Sequence, residues 1–222
     1  MKHCAPASLA LGLILAMAGP AAAATSGWRD KVTQFAAQNF KQPAWGFSHS
    51  QRDYDLAKSL AAADHVTLDD DVIFAAAYLH DMAAFDKWAD EKKEHGAVAA
   101  EKIDLVLGGT DFPKAKLDAV REACRGHMFD QPARSPEARY LHDADALDWL
   151  GAIGVARLIA LVDPKGGKPT APDIVKGIEM NMKNAPKGVL TPAGKARIAP
   201  LLAEEKAFLD ALRRETRDFK TL

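Results

Sequence analysis

Residues 72–79 read Val-Ile-Phe-Ala-Ala-Ala-Tyr-Leu, and the next two are His80 and Asp81. An apolar helix that runs straight into an imidazole and a carboxylate is a strong constraint on any fold. Tyr78 and Leu79 place the pair at the edge of a core, where an unpaired charge is costly. Four other groups able to bind metal lie around it in the sequence: His49, His95, His127 and the pair Asp143 and Asp145.

Alternating Val/Ile/Thr runs bounded by turns are absent, and helical spacing dominates the rest of the chain. A first helix is expected over 28–40. Ser48 as N-cap opens a second over 49–63. Thr67 or Asp69 caps a third that ends near Asp81. A fourth begins near Glu94-His95 and stops at Gly108-Gly109. A fifth runs from Pro113 to Gly126-His127. The sixth is expected over 140–161, kinked near Gly151 or Gly154. A short helix over 170–184 and a long one from Thr191-Pro192 complete the chain. The sum is about eight helices in one compact all-α domain, 25–222.

Residues 1–24 read as a secretory signal peptide. Lys2 and His3 precede the apolar run from Leu9 to Met17, Gly19-Pro20 breaks it, and Ala21 to Ala24 supply an A-x-A cleavage site. The expected location is periplasmic or secreted, with no membrane attachment after cleavage. Removal of the leader takes Cys4 with it and leaves Cys124 as the one cysteine, so no internal disulfide is available. Leu117, Val120 and Cys124 share a helix face, which makes Cys124 a small buried hydrophobe. A formal net charge of −1 gives no bulk attraction to nucleic acid, and no nucleic-acid polymer is expected as a partner. Oligomeric state is not legible.

His49, His95 and His127 fall where helices begin or end, so their side chains can converge with His80 and Asp81 at one end of a bundle. His65 and His142 do not fit that pattern and read as surface or supporting residues. Arg52 lies about one turn from His49. It either faces the same site or pairs on the surface with a neighbour such as Asp55. Asp86 and Lys87 read as an exposed loop, as do Lys165 and Lys168. Glu204-Glu205-Lys206 and Arg213-Arg214-Glu215 read as the solvated face of the last helix.

His49-Ser50-Gln51-Arg52, then Leu79-His80-Asp81, then Ala144-Asp145-Ala146-Leu147-Asp148 resembles the HD-domain metal-dependent phosphohydrolase superfamily over roughly 45–160. Leu190-Thr191-Pro192-Ala193-Gly194-Lys195-Ala196-Arg197 resembles the tail of its small bacterial members. The resemblance implies an all-helical bundle whose first metal is held by His49, His80, Asp81 and Asp145, with Asp143 as the fallback for Asp145. Two-metal members add two histidines in the places that His95 and His127 occupy, and Asp81 would then bridge. The implied activity is hydrolysis of a nucleotide or other small phosphate ester, with water activated by one or two divalent transition metals (Mn, Fe, Co, Ni or Zn). Asp81 and Arg52 would act directly in that chemistry. Met82-Ala83 stands where many members have Ile-Gly, and no Gly-Tyr-Pro follows, which argues against the cyclic-dinucleotide branch. The same fold implies two alternatives, a di-iron oxygenase and a non-catalytic metal- or ligand-binding module.

Overall fold

The computed structural model describes residues 27–222; the expected signal peptide, 1–24, lies outside the described residues. Ten α-helices and two short 3₁₀ turns make up the described chain, with no strand among the described residues. Nor is any described helix long and apolar enough to cross a membrane.

Helix α1, Trp28–Asn39, buries Trp28, Val32 and Ala36, an i, i+4, i+8 stripe. Helix α2, Phe47–Ala63, buries His49, Asp53, Ala57, Leu60 and Ala61 along one stripe, so two ionisable residues head an otherwise apolar face. Its N-cap is Gly46 rather than Ser48, which lies inside the first turn.

Helix α3, Asp70–Leu79, is capped by the Asp69 carboxylate, which accepts from the backbone N–H groups of Asp71 and Val72. Every residue from Val72 to Leu79 is buried. A helix apolar on all sides has to be surrounded, and α3 packs against α1, α2, α6 and α7. His80 is its C-cap, and a 3₁₀ turn at Met82–Ala84 then turns the chain away.

Helices α4, His95–Lys102, and α5, Asp104–Leu107, replace the expected continuous fourth helix; the break falls at Ile103. After a 3₁₀ turn at Lys114–Lys116, α6 runs over Leu117–Gly126, with His127 as C-cap and Cys124 fully buried. Helix α7 spans Pro136–Asp148, four residues earlier at its start than expected, because Ser135 caps it and Pro136 occupies the first turn. The expected helix over 140–161 is two helices. Gly151 has φ +67°, a left-handed conformation that only glycine adopts cheaply, and α8 starts there, Gly151–Ile159.

Helices α9, Ala171–Gly188, and α10, Pro192–Glu215, close the chain. One large apolar cluster joins α1 to α7. A smaller one, built on Val155, Leu158, Ile174, Val175, Ile178 and Leu209, joins α8, α9 and α10. The turn into α10 is held from below by Asp143, which accepts from the N–H groups of Leu190 and Thr191, both at 2.7 Å. One reading of the terminal helix is corrected. Glu205 is not on the solvated face but is fully buried against the start of α8.

Candidate metal centre

His49 in the first turn of α2, His80 and Asp81 at the end of α3, His95 at the start of α4, His127 after α6 and Asp145 on α7 meet at one end of the bundle. All except His95 are buried. Each of the four imidazoles is turned the same way. His80 Nδ1 lies 2.9 Å from the Ala77 carbonyl, and His127 Nδ1 2.6 Å from the Cys124 carbonyl. His49 Nδ1 lies 2.8 Å from the Asp148 carboxylate, and His95 Nδ1 3.0 Å from that of Glu94. Carbonyls and carboxylates can only accept here, so Nδ1 carries a proton, and Nε2 is the nitrogen left to offer a lone pair whenever the ring is neutral.

Those lone pairs have no protein donor. Nε2 of His49, His80 and His127 are buried with no hydrogen-bond partner. They converge on carboxylates. His49 Nε2 is 3.5 Å from Asp81 Oδ2 and 3.4 Å from Asp145 Oδ1, and His80 Nε2 is 3.4 Å from Asp81 Oδ2. The other oxygen of Asp81 faces the second pair of histidines, 3.1 Å from His95 Nε2 and 3.8 Å from His127 Nε2. Two ligands of one ion at bonds of about 2.0–2.2 Å lie about 3.0–3.6 Å apart, which is the spacing seen. The donor set therefore fits a divalent transition metal, and imidazole with carboxylate suits Mn, Fe, Co, Ni or Zn.

In the metal-free chain the acids instead favour charged rings at His49 and His80, so protons stand where a bound cation would displace them. Burial would raise Asp81, but the neighbouring His80, His49 and His95 outweigh it and hold its carboxyl well below the usual range. Burial likewise works against the carboxylate of Asp145, and His49 holds it down. His80 is pushed up to about 9, since Asp81 and Asp53 overcome the burial of its ring. Burial and the charge of His80 drive His127 down to about 4.

Asp143, the fallback for Asp145, is buried under the α10 turn, and Asp145 alone of the two reaches the cluster. Arg52 does not pair with Asp55. Its Nε and Nη2 grip Asp148 at 2.7 and 2.8 Å, with the side chain 32% exposed. His65 is exposed, and His142 is buried with Nε2 3.0 Å from the Gly188 carbonyl. Asp86 and Lys87 are exposed, as expected.

Three residues went unassigned in the sequence reading. Asp148 takes His49, Arg52 and the buried Arg157 at once, with Arg157 Nη1 at 2.8 Å. Its signal was available, because it lies three residues after Asp145 on the same helix. Arg157 also stacks on Trp149 with 3.6 Å from Cζ to the ring centroid. Asp53 follows His49 by one turn and is fully buried, with Oδ2 3.1 Å from His49 Nε2.

Residues 46–150 match the HD domain family. This stretch of the chain is an HD domain. The match lies within the span of roughly 45–160 drawn from the motifs and ends earlier, two residues past Asp148. The HD fold is shared with solved structures at low identity. A Lactobacillus plantarum protein is 22% identical, with TM-score 0.63 over 85% of this chain and 96% of that one. Bacillus subtilis YpgQ in complex with ADP is 18% identical, with TM-score 0.62 over 84% and 97%. An HD-superfamily hydrolase from Bacillus thuringiensis is 22% identical, with TM-score 0.58 over 85% and 96%. The sequence matches none of the curated proteins.

A cleft of about 680 Å³ is lined by Phe129, Trp149, Leu158, Leu161, Asn184 and Lys187, among others, and by none of the clustered histidines and aspartates. Its two aromatic walls are tied to ligands. Phe129 follows His127 by two residues, and Trp149 follows Asp145 by one turn of α7. The ring of Phe129 packs on His142 at 5.4 Å.

Proposed function

We propose that the chain is a metal-dependent phosphohydrolase acting on a nucleotide or another small phosphate ester, with two metals bridged by Asp81. The observation that carries the reading is the division of Asp81: Oδ2 faces His49 and His80, Oδ1 faces His95 and His127. His49, His80 and Asp145 complete one ion, and His95 and His127 the other. Bound metals would hold the phosphate oxygens and lower the pKa of a water molecule poised to attack phosphorus. Hydrolase neighbours of the same fold support hydrolysis, and the ADP held by the B. subtilis relative supports a phosphate-bearing ligand.

The chain's own residues supply the rest. Asp148 locks the ring of His49, as carboxylates behind metal-bound imidazoles do. Arg52 keeps Nη1 free of Asp148 and can turn it toward a phosphate. The cleft lies within the 300–1,000 Å³ typical of small-ligand sites, and its aromatic walls suit the base of a nucleotide while Lys187 suits a distal phosphate. Residues 1–24 we read as a leader that delivers the enzyme to the periplasm or beyond.

The test is phosphate or pyrophosphate release from a panel of nucleotides and sugar phosphates by protein loaded with Mn, Co or Ni. Release that vanishes in Asp81→Ala, with KM raised in Trp149→Ala, is the expected result. The assembled six-ligand set also fits a di-iron oxygenase. Dioxygen consumption with ferrous iron and no phosphate release would make that the correct reading.

A further inference from the structure

We propose that Asp53 is a fifth protein ligand of the ion at the His49–His80 site. This rests on the metal-centre reading above and goes beyond it, since the HD motif residues and the sequence pattern do not include Asp53.

Asp53 is fully buried, and neither Oδ1 nor Oδ2 has a hydrogen-bond donor. Oδ2 lies 3.1 Å from His49 Nε2 and 3.6 Å from His80 Nε2. With Nδ1 of both rings held by Asp148 and Ala77, each Nε2 meets Asp53 in one of two ways: as the N–H of a charged ring in the metal-free chain, or as a fellow ligand, with the proton displaced, when an ion is bound. The arginines nearest the cluster are spent on another group: Arg52 and Arg157 both pair with Asp148. A carboxylate buried this deeply costs several kcal/mol unless a cation faces it. The ligand atoms of His49, Asp53, His80 and Asp145 all lie within 4.8 Å of one another, so one ion can touch all four.

The placement is built into the helix. His49 and Asp53 are one turn apart on α2 and head its buried stripe, whose next members, Ala57, Leu60 and Ala61, are apolar. An apolar residue would continue that stripe without penalty, and a carboxylate stands there instead. Adding Asp53 to Asp81 and Asp145 gives the ion two imidazoles and three carboxylates. So many oxygen donors favour a six-coordinate ion such as Mn²⁺ or Fe²⁺ over tetrahedral Zn²⁺.

The experiment compares full-length wild type with Asp53→Asn and Asp53→Val. Mn²⁺ affinity is read by calorimetry, and coordination by the visible spectrum of the Co²⁺-substituted protein. Both variants should lose at least tenfold in affinity for one Mn²⁺ and leave the other ion unchanged. Their Co²⁺ bands should intensify as coordination number falls. The metal-free variants should melt no lower than metal-free wild type, which shows that they fold. Wild-type affinity for both ions with an unchanged Co²⁺ spectrum in Asp53→Asn would overturn the inference and leave the metal centre standing. A wild type that binds no Mn²⁺, Co²⁺ or Fe²⁺ would overturn the metal centre itself.

Discussion

Glu205 is fully buried on α10, where the backbone N–H of Gly151 gives its carboxylate only partial support. Burial, aided by the neighbouring Glu204, pushes its carboxyl up to about 7, against an ordinary 4.5 in the unfolded chain. A folded value above the unfolded one means that the neutral form is favoured in the fold. The associated stability is complete below about pH 4.5 and is lost as pH rises through 7, by at most about 1.4 kcal/mol per unit. Glu205→Gln should therefore be more stable than wild type at pH 8, by about 1–3 kcal/mol, and equal to it near pH 4.5, as read by urea denaturation at both values. Equal stabilities at pH 8 would show that the carboxylate finds a partner. No sequence pattern exposes such a residue. Glu204-Glu205-Lys206 looks solvated, and what buries Glu205 is α8, which starts 54 positions earlier at Gly151, whose Cβ would strike Leu201 and Glu204. Asp53 escaped for a related reason: a turn's spacing from His49 was visible, but burial on that face depends on α3 and α7 packing against α2. His49, His80, Asp81, His95, His127 and Asp145 were legible because their order along the chain is itself the pattern.

At the scale of helices, the ends do the positioning. Gly96, next to His95, lets α4 press against the end of α6: a Cβ there would lie 2.8 Å from the Cys124 carbonyl and 2.9 Å from the His127 ring. The two imidazoles consequently approach to 5.4 Å between centroids. Backbone cannot yield as a flexible side chain does, so Gly96→Ala should cost about 1–3 kcal/mol. It should also cut the metal content measured by mass spectrometry from two ions to one. Asp148 performs the parallel task at the other side, tying α2, α7 and α8 through His49, Arg52 and Arg157. Asp148→Ala leaves the Arg157 guanidinium buried without its counter-charge, and a loss of about 3–5 kcal/mol is expected in chemical denaturation. Asp148→Asn should weaken metal binding by about 10–100-fold, because the His49 ring loses its anchor. Most helices were legible from spacing and caps, α1 and α3 nearly to the residue. The break at Gly151 was legible only as a kink, since its positive φ follows from the close passage of α10. The N-cap of α2 was misplaced because Gly46, not the better-capping Ser48, occupies that position.

For the whole molecule, the metal centre sits where α2, α3, α4, α6 and α7 end or meet, so occupancy should be felt as stability of the entire bundle. A ligand at a hundredfold excess over its Kd adds about 2.7 kcal/mol, which for a chain of this size raises Tm by about 5–10 °C. Scanning calorimetry with and without Mn²⁺, and after chelation, should show that rise and its reversal. Fold and centre also explain each other at this scale. The apolar α3 demands helices on every side, and three of them, α2, α6 and α7, deliver His49, His127 and Asp145 to the one place where α3 stops. The most direct test of the centre is the number of transition-metal ions per chain in purified wild type and in Asp81→Ala, measured by inductively coupled plasma mass spectrometry. The expected result is two ions per wild-type chain and none in Asp81→Ala. A wild type without metal, or an Asp81→Ala protein that still holds two ions, would contradict it.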